Sequence, residues 1–243
     1  MGIFGRHDSI GVLRPTVVVV HGAFADATAF GEVADQLIDE GFPVMAVANP
    51  LRALDTDAAY VRSVLDAVAG PVVLVGHSYA GSVITQAAAG AENVQALVYV
   101  AAFIPRTGES CAELNGRYPG SLLTPDNLIE VPTPEGRTDL YIRPERYEKV
   151  YAGGLSAEQV RIAAFAQRPI TSEALGGVVT AVPADDLPRW QVVATNDHAV
   201  PTELQRFLAD RAGAKIIEAH CGHDVPAARP KQVIEAVLAA AGA

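Results

Sequence analysis

The chain has 243 residues, half of them hydrophobic, and its 18 basic against 28 acidic residues give a formal net charge of -10. This charge repels nucleic-acid phosphates and anionic membrane surfaces, so neither is an expected partner. No apolar run reaches the roughly 18 residues of a membrane span, and residues 1–15 contain no signal-peptide core. Two cysteines, Cys111 and Cys221, are too few for a disulfide framework. We expect a globular, cytoplasmic protein.

Apolar, β-branched runs alternate with segments of helical spacing along most of the chain. Such runs are typical of strands that are buried on both faces of a parallel sheet and connected through helices. The alternation predicts an α/β fold with a mostly parallel, doubly wound sheet. Strands are predicted at residues 16–20, 43–48, 72–75, 96–102, 190–194 and 215–219, and helices at residues 30–38, 61–68, 83–88, 201–208 and 233–238.

The alternation stops between residues 104 and 188, where prolines, tyrosines and charges become more frequent. We interpret this segment as an inserted helical cap, with short helices at residues 144–150 and 156–166 and a loop at residues 119–134. Residues 1–103 and 189–243 then form one core domain.

Ser78 lies between a predicted strand and a predicted helix, in the sequence GHSYAG at residues 76–81. This is close to the G-x-S-x-G pattern of a nucleophile elbow, a strained turn whose small neighbours let the serine hydroxyl project outward. Ala80 stands where the strict pattern has glycine, which is a change of one methyl group. A serine hydroxyl needs a base in contact with it and a third group that orients the base. Ser78 is therefore the candidate nucleophile.

Asp197 and His223 are the candidate acid and base, because each follows a predicted strand. In open parallel sheets, reactive groups gather at the carboxyl ends of strands. Another common position for the acid is just past the strand after the elbow, but residues 101–104 (AAFI) contain no carboxylate. A structural alternative for Asp197 is a helix cap. His220 is an alternative base, but it lies at the strand end, whereas His223 lies in the loop beyond it.

An oxyanion hole needs two backbone N–H donors that point at the developing negative charge. The loop after the first strand has a His-Gly pair, so either Ala23 or Phe24 can supply one N–H group. Tyr79 follows the nucleophile and can supply the other. The positive end of the dipole of the helix after Ser78 also stabilises this negative charge.

Other clusters have simpler interpretations. Residues 220–224 contain two histidines, a cysteine and an aspartate, but without a distant fourth ligand we expect no metal site. No glycine motif for nucleotide phosphates follows a strand, so we expect no nucleotide cofactor. Tyr141, Tyr147 and Tyr151 in the insertion either line a substrate channel or pack within the cap, and packing is the commoner case.

The chain resembles the α/β-hydrolase superfamily, and within it the cap-bearing group that includes plant hydroxynitrile lyases and methyl-ester esterases. The resemblance runs from about residue 16 to residue 238, and its motifs are VHGAF (20–24), GHSYAG (76–81), TND (195–197), VP (200–201) and GH (222–223). It implies the same fold, a helical cap over the site, no cofactor, and catalytic-triad roles for Ser78, Asp197 and His223. Hydroxynitrile lyases of this kind carry a lysine directly after the histidine, where this chain has Asp224.

These observations predict a serine esterase that acts on small to medium, largely neutral esters as a monomer or homodimer. Two alternatives use the same fold. One is a cofactor-free lyase or perhydrolase with the same triad, and the other is a ligand-binding receptor with little turnover.

Overall fold

The computed structural model describes residues 14–242. A parallel sheet of six strands forms its centre, which confirms the predicted mostly parallel, doubly wound α/β fold. The prediction of no signal peptide covers residues 1–15, and residues 1–13 lie outside the part of the chain that the structure describes. In spatial order the strands are β2 (Val44–Val47), β1 (Thr16–Val20), β3 (Val72–His77), β4 (Val94–Val100), β8 (Arg189–Ala194) and β9 (Lys215–Ala219), numbered along the chain.

Helices connect the strands and make up much of the insertion. Short 3₁₀ helices occur at Ala27–Phe30, Pro125–Asn127 and Pro144–Arg146. In residues 14–242, no helix combines the length and the apolar character needed to cross a membrane. The α-helices are α1 (Gly31–Asp39), α2 (Leu54–Ala67), α3 (Ala80–Ala88), α4 (Cys111–Asn115), α5 (Tyr147–Val150), α6 (Ala157–Ala166), α7 (Ser172–Gly176), α8 (Thr202–Arg211), α9 (Val225–Ala228) and α10 (Pro230–Ala241).

The central strands are apolar on both faces because helices cover both faces of the sheet. Successive strand residues point to opposite sides. Val18 of β1 belongs to a hydrophobic cluster with residues of α2, α3 and α8. Its neighbour Val19 belongs to a second cluster, with residues of α1 and α10. All six residues of β3 are buried, so the strand that leads into Ser78 lies at the centre of the core.

The insertion between β4 and β8 contains helices at the predicted places, α5 after residue 146 and α6 at Ala157–Ala166. It also contains a three-stranded antiparallel sheet in the order β5 (Leu128–Pro132), β6 (Thr138–Ile142) and β7 (Ile170–Thr171). The prediction of a loop over residues 119–134 was therefore wrong for residues 128–132. The prolines that indicated a loop lie around β5 and at its last residue, where an edge strand tolerates them.

Candidate active site

The turn between β3 and α3 holds Ser78 in a strained conformation. β3 ends at His77 and α3 begins at Ala80, so Ser78 and Tyr79 make the turn alone. Ser78 has a φ of 57°, in the left-handed region that residues other than glycine rarely adopt. This strain is the geometry expected of a nucleophile elbow.

Three glycines make room for this turn. A Cβ on Gly76 would lie 2.8 Å from Ile84 Cδ1 and 2.9 Å from the Ala80 carbonyl oxygen, and one on Gly81 would overlap the Phe103 carbonyl oxygen. The close approaches that the turn needs therefore occur at Gly76, Gly81 and the neighbouring Gly22. Ala80, which stands where the strict pattern has glycine, is the first residue of α3 and is completely buried.

We expect Gly22→Ala to damage the site from outside the turn. The new Cβ would lie 2.6 Å from the His77 carbonyl oxygen and 2.8 Å from Ser78 Cβ. Because the core cannot expand freely, this overlap should lower the free energy of unfolding by about 1–3 kcal/mol and should also lower activity. Urea unfolding measures the first effect.

The control for this prediction is Gly31→Ala, because a Cβ at Gly31 meets nothing within 4 Å and Gly31 opens α1. It should leave stability unchanged or raise it by up to about 1 kcal/mol. Equal stability of the two variants would contradict the crowding described for Gly22.

Asp197 and His223 are brought into direct contact by the loops after β8 and β9. His223 Nδ1 lies 2.6 Å from Asp197 Oδ2, and both side chains are almost completely inaccessible to solvent. Because a carboxylate only accepts hydrogen bonds, Nδ1 is the protonated nitrogen and donates to Asp197. Nε2 is then the ring nitrogen that is left to accept a proton.

The Asp197 carboxylate is held by a full set of donors. The N–H groups of Ala199 and Val200 donate to Oδ1 at 2.7 and 2.9 Å. Gln205 Nε2 donates to Oδ2 at 2.7 Å, beside the bond from His223. The carboxylate therefore has one fixed orientation, with Oδ2 toward the imidazole.

Gln205 is a positioning residue that the sequence analysis missed. Its side chain is completely buried, it donates to the Val200 carbonyl as well as to Asp197, and its Oε1 accepts from the Ala194 N–H group. Gln205 thus connects the end of β8 to the loop that carries Asp197. A glutamine in the first turns of an amphipathic helix carries no sequence signal for this role, because the role depends on how α8 packs.

His77 supports the histidine loop. Its Nε2 lies 2.9 Å from the His223 carbonyl oxygen, which only accepts, so Nε2 is the donor. Burial, with the nearby His223, lowers the pKa of His77 well below its usual value, so the ring is neutral. Tyr151 packs on the His223 ring with the ring centroids 4.8 Å apart. The imidazole therefore has a fixed position between two buried rings.

The oxyanion-hole prediction needs one correction. The N–H group of Phe24 donates to the Arg168 carbonyl at 2.9 Å, so it cannot point at a substrate. Phe24 has a φ of 61°, and this turn directs its N–H group toward the insertion. Of the two candidate oxyanion donors in this loop, the N–H group of Ala23 remains. In the described part of the chain, the N–H groups of Ala23 and Tyr79 have no hydrogen-bond partner.

The side chain of Tyr79 is anchored away from the site. Its hydroxyl donates to Asp57 Oδ2 at 2.9 Å, and the Asp57 carboxylate also accepts from the Arg52 N–H group. Burial raises the pKa of Asp57 above its usual value. The anchored ring leaves only the backbone of Tyr79 beside Ser78.

Ser78 and His223 line the same cavity, which has a volume of about 470 Å³. Ala23 and Tyr79 line it as well, together with apolar residues of the insertion such as Leu128. None of its described lining residues is an aspartate, glutamate, lysine or arginine. The Ser78 hydroxyl has no hydrogen-bond partner within residues 14–242. The hydrogen bond between a nucleophile and its base is often long in enzymes without bound substrate.

The remaining candidates lie away from this cavity. His220 bonds to Thr195 Oγ1 at 2.6 Å instead of facing the acid. Tyr147 and Tyr151 are buried and do not line the cavity, which favours packing roles, and Tyr141 lies in β6. In residues 14–242, no group of three or more histidines, cysteines, aspartates or glutamates is arranged to hold a metal ion.

The insertion is hydrogen-bonded to both loops of the site. Besides the bond from Phe24 to Arg168, the N–H group of Gly222 donates to the Gly153 carbonyl at 2.7 Å, and that of Asp224 to the Tyr151 carbonyl at 3.0 Å. These two bonds flank His223 on either side. The position of the candidate base therefore depends on the insertion.

Comparisons with known proteins agree with this architecture. The fold matches a pyrethroid hydrolase from Sphingobium faniae (TM-score 0.79, 21% identity, 94% of this chain and 98% of that one). It also matches a methylesterase from Arabidopsis (TM-score 0.78, 18% identity, 94% and 99%) and a polyneuridine aldehyde esterase (TM-score 0.80, 19% identity, 93% and 98%). At these identities the likeness concerns the fold.

In sequence, the chain is 32% identical over 124 residues to a probable hydrolase, R7, from a Phoma species. The match covers 45% of this chain and spans about half, 51%, of that relative. The sequence model of the alpha/beta hydrolase family matches residues 17–236. Because this match includes nearly the whole chain, the protein belongs to the alpha/beta hydrolase family.

Proposed function

We propose that the protein is a serine esterase that cleaves carboxylic esters of small to medium hydrophobic substrates through an acyl-enzyme. The observation that carries the proposal is the buried pair of Asp197 and His223, whose histidine lines the same cavity as the strained Ser78. Nucleophile, base and acid then have the roles that the sequence analysis predicted for them.

The proposed reaction has two halves. Ser78 Oγ attacks the ester carbonyl while His223 Nε2 takes its proton, and the N–H groups of Ala23 and Tyr79 stabilise the oxyanion. His223 then returns the proton to the departing alcohol, which leaves an acyl group on Ser78. Water, deprotonated by His223, attacks this ester. The C–O bond to Ser78 then breaks, Ser78 Oγ takes the proton back from His223, and the acid is released. Asp197 stabilises the imidazolium in both halves.

The cavity supports a neutral substrate. Its apolar wall and the lack of charged lining residues in the described chain make it costly to bury an unpaired charge there. A volume of about 470 Å³ lies within the range of small-molecule sites. The reaction needs no cofactor, because the side chains of Ser78 and His223 supply the nucleophile and the base, and backbone N–H groups supply the oxyanion donors.

We further propose that residues 104–188 act as a cap domain on a core of residues 1–103 and 189–243. The support is that β5 and β6 contribute Leu128 and Leu140 to the cavity wall. The net charge and the two free cysteines fit a cytoplasmic monomer or homodimer whose partner is a small ester.

A panel of p-nitrophenyl esters from acetyl to long acyl chains, run beside a fluorophosphonate probe, tests the proposal. We expect hydrolysis of short and medium esters and a single labelled residue, Ser78, in a peptide digest analysed by mass spectrometry. Label on another residue, or labelling without hydrolysis of any ester, would refute it. Cyanohydrin cleavage without ester hydrolysis would favour the lyase alternative, and absence of labelling would favour the receptor.

A further inference from the structure

A second cavity, of about 170 Å³, lies behind the two loops that carry the active site. Phe24 and His223 line the active-site cavity, while the residues that directly follow them, Ala25 and Asp224, line the second one. The two cavities share no lining residue. We call the second one the rear cavity.

The rear cavity combines an apolar wall with two carboxylates. Leu155, Ile162 and Ala163 of the insertion provide apolar surface, and Asp26 and Asp224 line the same space. No lysine, arginine or histidine is among its described lining residues. Its negative charge is therefore not balanced by a neighbouring basic side chain in its wall.

Asp224 is the unusual member of this wall. Its side chain is buried, with 3% of the residue exposed, and its Oδ1 has no hydrogen-bond partner within residues 14–242. A buried carboxylate oxygen without a donor is unfavourable, and native proteins rarely leave one unpaired. A cation bound in the rear cavity would supply the missing donor.

Asp26 gives the second charge. One of its oxygens, Oδ1, accepts from the N–H group and the hydroxyl of Thr28. Although burial raises the pKa of Asp26, the two bonds from Thr28 hold it below the usual value, so the group is ionised near neutral pH. Burial raises the pKa of Asp224 to about 6, so it is ionised above that pH.

We propose that the rear cavity binds a small organic cation, with its ammonium group against Asp224 and Asp26 and its apolar part against Ile162 and Ala163. A cavity of about 150 Å³ holds one benzene molecule, so a single ring with a short ammonium arm matches the available space. Because Asp224 adjoins His223 in the chain, the bound cation would lie directly behind the candidate base. This proposal does not depend on the esterase reaction.

Calorimetric titration of the whole chain with benzylammonium chloride at about pH 8 tests the proposal, because both carboxylates and the ammonium group are then charged. Benzyl alcohol is the matched uncharged probe. We expect saturable binding of benzylammonium, and binding of benzyl alcohol that is weaker by about tenfold or more.

Two variants locate the site. Asp224→Asn keeps the shape but removes the charge, and Ala163→Phe fills the cavity while it leaves both carboxylates in place. Each should weaken benzylammonium binding by about tenfold or more, and the control Asp186→Asn, an exposed aspartate outside this wall, should bind like the unmodified chain.

Circular dichroism shows whether each variant folds, and if Asp224→Asn does not, Ala163→Phe alone decides. Three results would overturn the proposal: no binding of benzylammonium, equal binding of both probes, or undiminished binding by the folded variants. The last result would place the cation elsewhere, for instance in the active-site cavity.

Discussion

Replacement of Ser78 by alanine is expected to lower kcat for ester hydrolysis by about 10⁶-fold, because it removes the proposed nucleophile, whose action depends on His223 and Asp197. His223→Ala should cost nearly as much, and the double variant should be hardly worse than either single one, since the residues act as a unit. Initial rates on p-nitrophenyl butyrate at saturating substrate measure the effect.

Ser82→Ala is the matched control for the serine. Ser82 lies on α3, which follows the turn of Ser78. It is buried and bonds to Cys111 Sγ at 3.0 Å, but it does not line the active-site cavity. It should keep kcat within a few-fold of the unmodified chain. If Ser78→Ala retained activity comparable to that of Ser82→Ala, the proposed mechanism would have to be abandoned.

Asp197→Asn is expected to lower kcat by about 10⁴-fold while the fold persists. The N–H groups of Ala199 and Val200 both donate to Oδ1, so the new amide keeps its oxygen at that position. Its NH₂ group then replaces Oδ2, donates to His223 Nδ1 and loses the bond that Gln205 Nε2 gave to Oδ2. The ring is forced into the tautomer with its proton on Nε2, which cannot accept the serine proton.

Asp210→Asn provides the comparison for the acid, because Asp210 is exposed on α8. Steady-state rates and thermal melting separate a loss of catalysis from a loss of stability. The control should change neither the rate nor the melting temperature, and Asp197→Asn should change the rate far more than the melting temperature. A loss of activity only in proportion to the loss of folded protein would reduce Asp197 to a structural residue.

The central sheet could be predicted because its physical signal is strong. Residues 16–20 and 72–75 form apolar runs since helices bury both faces, and runs of this kind stand out in any sequence. β5 lacks this signal, because most of its residues are exposed and prolines lie around it. Its pairing with β6 depends on a partner that only the folded insertion brings alongside.

Parts of the candidate site were predictable for a similar reason. Ser78 lies in a turn whose glycines are visible in the sequence, because the turn cannot form without them. The roles of Gln205 and of the Phe24 N–H group could not be predicted, since their hydrogen-bond partners lie on other elements. Nothing in the sequence around Phe24 indicates that Arg168 will accept its hydrogen bond.

The bonds from Gly222 and Asp224 to the insertion bear on how enzymes of this architecture can be altered. Consider the exchange of residues 104–188 for the corresponding segment of a relative. Such a chimera would also have to place two backbone carbonyl groups where those of Tyr151 and Gly153 hold the histidine loop on both sides. Grafts that keep this short stretch should therefore retain turnover, and grafts that replace it should not.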